Sequence, residues 1–395
     1  MQVELGGKAT GPLQGVRVLD ISSIVSGPLC AQILGDLGAD VIKLEPPSGD
    51  TARYLGQEGP PGMSGIFVQF NRNKRSATLD LKQEAGKAAF FELVANADVV
   101  VENYRAGVAD RLGIGFEASR KKNPSLIWVA ISGFGPDGPY SEQPAYDMVI
   151  QGMSGFATAL GDKHNPKLIS NLVADKTSGM NACYAVLAAL YAREKNGGRG
   201  QRIDIPMIDA FASFVHGDGF AAQTYGGPPT PAAGVAAIYR AWKTADGHIS
   251  MMIIEDHHFQ ALCKVIGRED IAADERYATI VGRLGNAAEL FGLFETEVQK
   301  FTTAALVERA HAEKMPLGPV YDVDAFLRDP QVIHNEMVFD LEDEEAGSMK
   351  LFGSAPRFES TPTNVRRPPP RLGADTEAVL REAGIADAEI ERLRG

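Results

Sequence analysis

No stretch of the chain approaches the roughly 20 consecutive apolar residues that a membrane-spanning helix needs, so no membrane partner is expected. The segment 1–15 is polar and glycine-rich. It lacks the apolar run of a signal peptide and the arginine-rich pattern of a transit peptide, and the expectation is a cytoplasmic protein. Cysteine is scarce. Cys30, Cys183 and Cys263 lie far apart, match no metal or redox spacing and read as small core residues. The seven histidines form no HExxH or comparable ligand set, so no metal site is expected. The GxSxG signature of a serine nucleophile is missing as well. Positive charge is in deficit, with 39 Lys and Arg against 51 Asp and Glu, a formal net charge of −12. That balance argues against nucleic acid as a partner, because phosphate backbones are bound by clustered cations. What remains is an ordinary globular composition, 44% hydrophobic and 23% charged over 395 residues, which suits two or three domains.

Short apolar runs alternate with helical patterns through the first half. Val16–Ile21, Asp40–Glu45, Ala77–Leu81, Val99–Glu102, Leu126–Ser132 and Arg202–Pro206 read as strands. Between them, Leu29, Ile33, Leu34 and Leu37 recur at helical spacing after Pro28, Glu84–Ala97 is rich in helix formers, and Thr177–Lys195 is a long helix ending at Gly197-Gly198. Strands alternating with helices predict an α/β fold with a Rossmann-like parallel sheet. Ligands then bind at the carboxyl ends of the strands, where strand order switches. The character changes at GGPPTPAAG (226–234). A hairpin is expected over 238–244 and 248–254, turning at Asp246-Gly247, followed by helices near 256–266, 286–299 and 303–314. The predicted organisation is a large domain over 1–225, completed by 330–395, and a smaller α+β domain over 226–329. A short helix capped by Asp375 or Thr376 is expected after the proline-rich run at 366–372.

Three features carry the chemistry. GFGPDG (133–138) matches GxGxxG after a strand, but Pro136, Pro139 and Pro144 forbid the helix that must open there to meet a dinucleotide. The run NRNKR (71–75), with Arg53, Arg105 and Arg111 near other element ends, is either solvated surface or a cradle for a ligand with several phosphates. Asp175 precedes a long helix. It reads first as an N-cap, and compatibly with that as an ionised carboxylate able to attack a thioester.

Taken together, PLQGVRVLDISSIVSGP (12–28), LGDLGADVIKLEPPSGDTAR (34–53), FNRNKRSATLDLK (70–82), ADVVVENYRAGVADRLG (97–113), ISGFGPDGPY (131–140), YDMVIQGMSG (146–155) and the segment 174–210 resemble the class III CoA-transferases. This is the family of formyl-CoA transferase and carnitine CoA-transferase. The resemblance implies coenzyme A as substrate, an acyl-CoA donor, a small carboxylic acid acceptor and no further cofactor. It places the catalytic aspartate at Asp175. The CoA contacts it implies are Val25, Ser26, Asn71, Arg72, Asn73, Lys74, Asn103, Tyr104, Arg105, Arg111 and Gly133, with Tyr146 at the acyl pocket. Where some relatives carry a basic residue after the second strand, Pro46 stands here, and Arg53 is the expected substitute. Ser132 stands where some members have lysine, and the glycine-rich lid loop of formyl-CoA transferase is missing. The resemblance also implies an interlocked homodimer.

The alternative is a 2-methylacyl-CoA racemase, which shares the fold and the aspartate. Racemases use a histidine where this chain has Tyr146. A tyrosine with an ordinary pKa of about 10 does not shuttle a proton near neutrality. Glu255 aligns with a racemase-site glutamate and points the other way. A third reading is a CoA-binding module in which Asp175 only caps a helix.

Overall fold

The computed structural model describes residues 2–56, 58–219, 224 and 239–394. The chain forms two compact units, Met1–Gly217 with Ile333–Gly395, and Asp218–Val332. The sequence reading placed the smaller one at 226–329.

The larger unit is built on six parallel strands: β1 (Arg17–Asp20), β2 (Asp40–Glu45), β3 (Lys74–Thr78), β4 (Val99–Glu102), β5 (Ile127–Ser132) and β6 (Arg202–Pro206). Their order across the sheet is β3-β2-β1-β4-β5-β6. That is a doubly wound sheet, whose direction of winding reverses between β1 and β4. Neighbouring residues face opposite sides and both sides are buried, which explains the continuous apolar runs. Val18, Val41, Val99, Val101, Ile127 and Val129 pack against α1 (Ser26–Asp36) and a long helix at Val173–Lys195. Leu19, Ile42, Val100 and Trp128 pack on the other face, against α2 (Glu84–Ala95) and a short carboxyl-terminal helix. Helix α3 (Asp147–Met153) precedes the long helix, which is α4. Gly179 lets α4 lie against α1, since a Cβ there would stand 2.5 Å from the Ser26 carbonyl oxygen.

Two elements differ from the sequence reading. Strand β3 begins at Lys74, three residues before the expected Ala77. Lys74, Arg75 and Ser76 are polar, so hydropathy hides them, but inside the sheet they find carboxylate partners. Helix α4 begins at Val173, a turn before Thr177. Asp175 therefore sits within the first turn and does not cap it.

β3 is an edge strand, and the chain's return from the smaller unit covers it. Asn73 N–H donates to the Arg367 carbonyl, Ser76 N–H to Asp375 and Thr78 N–H to the Thr376 hydroxyl. Asp375 holds the N-cap position of the helix Thr376–Glu382 with its carboxylate turned to Ser76. An unpaired edge would otherwise offer free backbone groups to another chain.

In the smaller unit, β7 (Trp242–Lys243) and β8 (His248–Met251) form the hairpin around Asp246-Gly247, and β9 (Leu317–Pro319) adds a third strand that the sequence did not suggest. Trp242, Phe259 and Phe294 anchor its core between helices Asp256–Val265, Ala287–Val298 and Thr303–Ala312. The connection at 226–234 and the start of the expected first hairpin arm, residue 238, lie outside the described residues. Cys30, Cys183 and Cys263 are buried and free.

Candidate active site

The switch between β1 and β4 puts two loops side by side, Ser22–Val25 after β1 and Asn103–Gly107 after β4. Asn103 ties them together. Its Oδ1 accepts from Ser23 N–H at 2.9 Å and its Nδ2 donates to the Ser23 carbonyl at 2.8 Å. Nδ2 also reaches the Ser26 hydroxyl oxygen at 3.2 Å.

The rest of the β1 loop is held by buried charge. Asp20 accepts from Ser22 N–H at 3.0 Å and from its hydroxyl. Lys43 donates to the Ser22 carbonyl at 3.0 Å and pairs with Asp50 at 2.9 Å. Asp50 in turn accepts Ile24 N–H at 3.0 Å. Ile24 has φ +65°, a conformation a β-branched residue adopts only when its surroundings impose it. The strained turn directs the chain from β1 into α1, where Val25 and Ser26 are buried.

The basic cluster has a different fate from the one expected of it. Lys74 is buried, its pKa pulled down by burial to about 8, and donates to Asp20 at 2.8 Å, Asn71 at 2.8 Å and the Pro28 carbonyl at 2.9 Å. Arg72 is bound to Asp36, with 3.0 Å between Nε and Oδ1. Arg53 makes two 2.7 Å contacts with Glu45 and lies 3.8 Å over the Phe67 ring. Asn71 donates to the Phe67 carbonyl, and Asn73, at φ +60°, bonds Asp36 and the backbone of 364 and 366. None of these five side chains presents its polar group to solvent. Carboxylate partners hold the three charged ones inside, because an unpaired buried charge is costly. They brace the β1 and β3 ends. Arg105 and Arg111, by contrast, are exposed and make no ion pair among the described residues. Tyr104 is half-buried against the core, and burial pushes its hydroxyl up to about 12. Gly133 allows close passage of the chain, since a Cβ would stand 2.3 Å from that of Ala145. Tyr146, next in line, is 62% exposed.

Asp175 lies where α4 meets α1 and α3. Burial pushes its carboxyl up to about 7, and the Asp147 carboxylate pushes the same way. The Ser26 hydroxyl works in the opposite direction. The structure thus brings Ser26, Asn103 and Asp175 together. A carboxylate raised to about 7 at the start of a helix is equipped for nucleophilic attack on an activated acyl group. Asp147, Asp20 and Asp50 were missed by the sequence reading. Asp147 stands inside YDMVIQGMSG, next to Tyr146, and its spacing of four from Gln151 was the available signal. In the smaller unit, Glu255 pairs with His257 at 3.1 Å, and these two with His258 bring donor atoms within 4.8 Å of one another on a largely exposed surface.

The chain is similar to known proteins over nearly its whole length. The sequence model described as CoA-transferase family III matches residues 13–376. A succinate–glutarate CoA-transferase of Agrobacterium fabrum is 33% identical over 94% of this chain and 95% of its own length. A formyl-CoA:oxalate CoA-transferase of Streptomyces avermitilis is 33% identical over 98% of both chains. Among solved structures, a CAIB/BAIF family protein from Brucella suis matches with a TM-score of 0.81 at 31% identity, over 95% of this chain and all of that one.

Proposed function

The chain belongs to CoA-transferase family III, and on that footing we propose that it moves coenzyme A from an acyl-CoA donor to a small dicarboxylic acid, with Asp175 as the nucleophile. The dicarboxylate class is drawn from the relatives, whose names pair an acyl-CoA with glutarate, oxalate or malate. The observation that carries the reading is the placement of Asp175. It is a carboxylate at the start of a helix, largely withdrawn from water, beside the switch-point loops that end the central strands.

In this scheme an Asp175 oxygen attacks the thioester carbonyl, the carbon–sulfur bond breaks, and CoA thiolate leaves a mixed anhydride. The thiolate attacks the aspartyl carbonyl and expels the donor acid, which leaves an aspartyl-CoA thioester. The acceptor carboxylate attacks that thioester, releasing thiolate and forming a second anhydride. The thiolate attacks the acceptor's acyl carbon, the new acyl-CoA departs and the Asp175 carboxylate is regenerated. Each intermediate is open to hydrolysis, so limited access of water to Asp175 conserves the thioester. Arg105 and Arg111 supply phosphate contacts for CoA, with the buried cluster fixing the loops they flank. The exposed Tyr146 borders the acyl group. A phenol in place of an imidazole disfavours the racemase reading at this position.

The reading includes an interlocked homodimer in the cytoplasm and no metal or redox cofactor. Among the described residues no helix is long and apolar enough to cross a membrane. Light scattering should return twice the 42.3 kDa chain mass. Incubation with succinyl-CoA and then hydroxylamine should convert Asp175 to its hydroxamate, read by peptide mass. Unlabelled Asp175 across succinyl-, acetyl- and formyl-CoA, or full transfer by Asp175→Ala, would refute the proposal.

A further inference from the structure

Helix α4 begins without a cap of its own. Leu172 occupies the N-cap position and has no side-chain acceptor to offer. The first-turn amides are taken instead by a neighbouring element. Asp147 Oδ2 accepts Ala174 N–H at 2.7 Å and Asp175 N–H at 3.0 Å. Asp147 is only 3% exposed. Its other oxygen accepts from Gln151 Nε2, one turn further along α3. Gln151 is 1% exposed and also ties down the segment that leads into α4. Its Nε2 donates to the carbonyls of Ile169 and Asn171 at 3.2 and 3.1 Å, and its Oε1 accepts Ile169 N–H at 2.9 Å.

This arrangement alters what the helix start does to Asp175. A helix N-terminus ordinarily stabilises a carboxylate through its free amides and partial positive charge. A carboxylate so stabilised is a poorer nucleophile. Here two of those amides are committed to Asp147, and a second negative charge stands beside the first. Two neighbouring carboxylates repel in the resting site. When Asp175 is acylated it becomes a neutral anhydride or thioester, and the repulsion disappears. The resting state is raised relative to the acylated one, which favours attack.

We propose that Asp147 is a positioning residue for the Asp175 reaction, fixing the first turn of the nucleophile's helix and setting against it a second carboxylate whose repulsion acylation relieves. The inference rests on the reading that Asp175 is acylated. The groups that act on Asp175 are few. Asp147 faces it from α3 and the Ser26 hydroxyl from α1, and among the described residues no cation acts on it. The raised Asp175 carboxyl, at about 7, agrees with this geometry, burial being the larger cause and Asp147 the next.

A helix cap with no electrostatic role would lower stability or rate when replaced, and would leave the pH dependence of acylation where it was. Single-turnover release of CoA thiol from succinyl-CoA, followed from pH 5 to 9, separates the two. Wild-type enzyme should lose acylation below about pH 7. Asp147→Asn should shift that limb down by about one pH unit and slow the alkaline plateau, and Asp147→Glu should keep the limb near the wild-type position. Asp147→Ser provides the same test should the amide variant not fold, because a hydroxyl still accepts helix amides. A limb that stays put in the uncharged variant, with Asp175 still labelled, overturns the proposal and leaves the nucleophile intact. Failure to label Asp175 in the wild-type chain at any pH overturns both.

Discussion

Replacing Asp175 should make the protein more stable, and by an amount that depends on pH. Asp175 is pushed up to about 7 by burial and by Asp147. In an unfolded chain an aspartate titrates at about 4. Between these values the native state binds a proton that the unfolded state does not, so stability falls as pH rises from about 4 to about 7 and the penalty is complete above 7. Carrying a carboxyl over that interval corresponds to about 4 kcal/mol, an upper bound. Asp175→Asn keeps the size of the side chain and removes the charge. The amide must still be withdrawn from water, so about half of the bound, about 2 kcal/mol, is the expected gain. Thermal unfolding at pH 8 should show the variant melting several degrees higher. At pH 4 the two proteins should melt together, because the native carboxyl is protonated there. A variant that is no more stable at pH 8, or one whose gain is the same at pH 4, would refute the argument that Asp175 is held against burial and repulsion.

The two free arginines and the buried lysine should behave in opposite ways. Arg105→Ala and Arg111→Ala should raise the KM for acyl-CoA about tenfold with little change in kcat, and should flatten its dependence on salt, as steady-state kinetics at two ionic strengths would reveal. Lys74→Met leaves Asp20 facing Lys43 alone, 3.9 Å away, and should cost about 3 kcal/mol in denaturant unfolding. An intact Lys74→Met protein with only a raised KM would overturn the bracing role. Ile24→Gly removes the side-chain strain at φ +65° and should leave stability within about 1 kcal/mol of wild type, because the relief offsets the added freedom of the unfolded chain.

Much of the fold was legible because buried parallel strands advertise themselves. Val16–Ile21, Asp40–Glu45 and Val99–Glu102 stand out as apolar runs between turn residues, and the structure places β1, β2 and β4 there. β3 was misplaced because its first residues are Lys74, Arg75 and Ser76, and their burial depends on Asp20, Asp40 and Glu45 from elsewhere in the chain. The same non-local pairing misled the reading of the basic cluster. A local run of positive charge cannot disclose that the counter-charges of Arg72 and Lys74 wait 36 and 54 residues away. Asp175 was singled out through its motif. The start of its helix was not, because the group that caps it, Asp147, lies 28 residues upstream.

The covering of β3 has a consequence for how the molecule is made. The ribosome delivers all six strands of the central sheet before it delivers residues 364–376. A complete second folding unit is synthesised in between. For that interval the nascent sheet carries a raw border, with Asn73, Ser76 and Thr78 lacking the acceptors they have in the finished protein. The closing segment arrives only after the smaller unit has emerged, so completion of the first unit waits on passage of the second. Chains that stall within 218–332 are left with an open sheet margin, and that margin is where self-association during synthesis should begin.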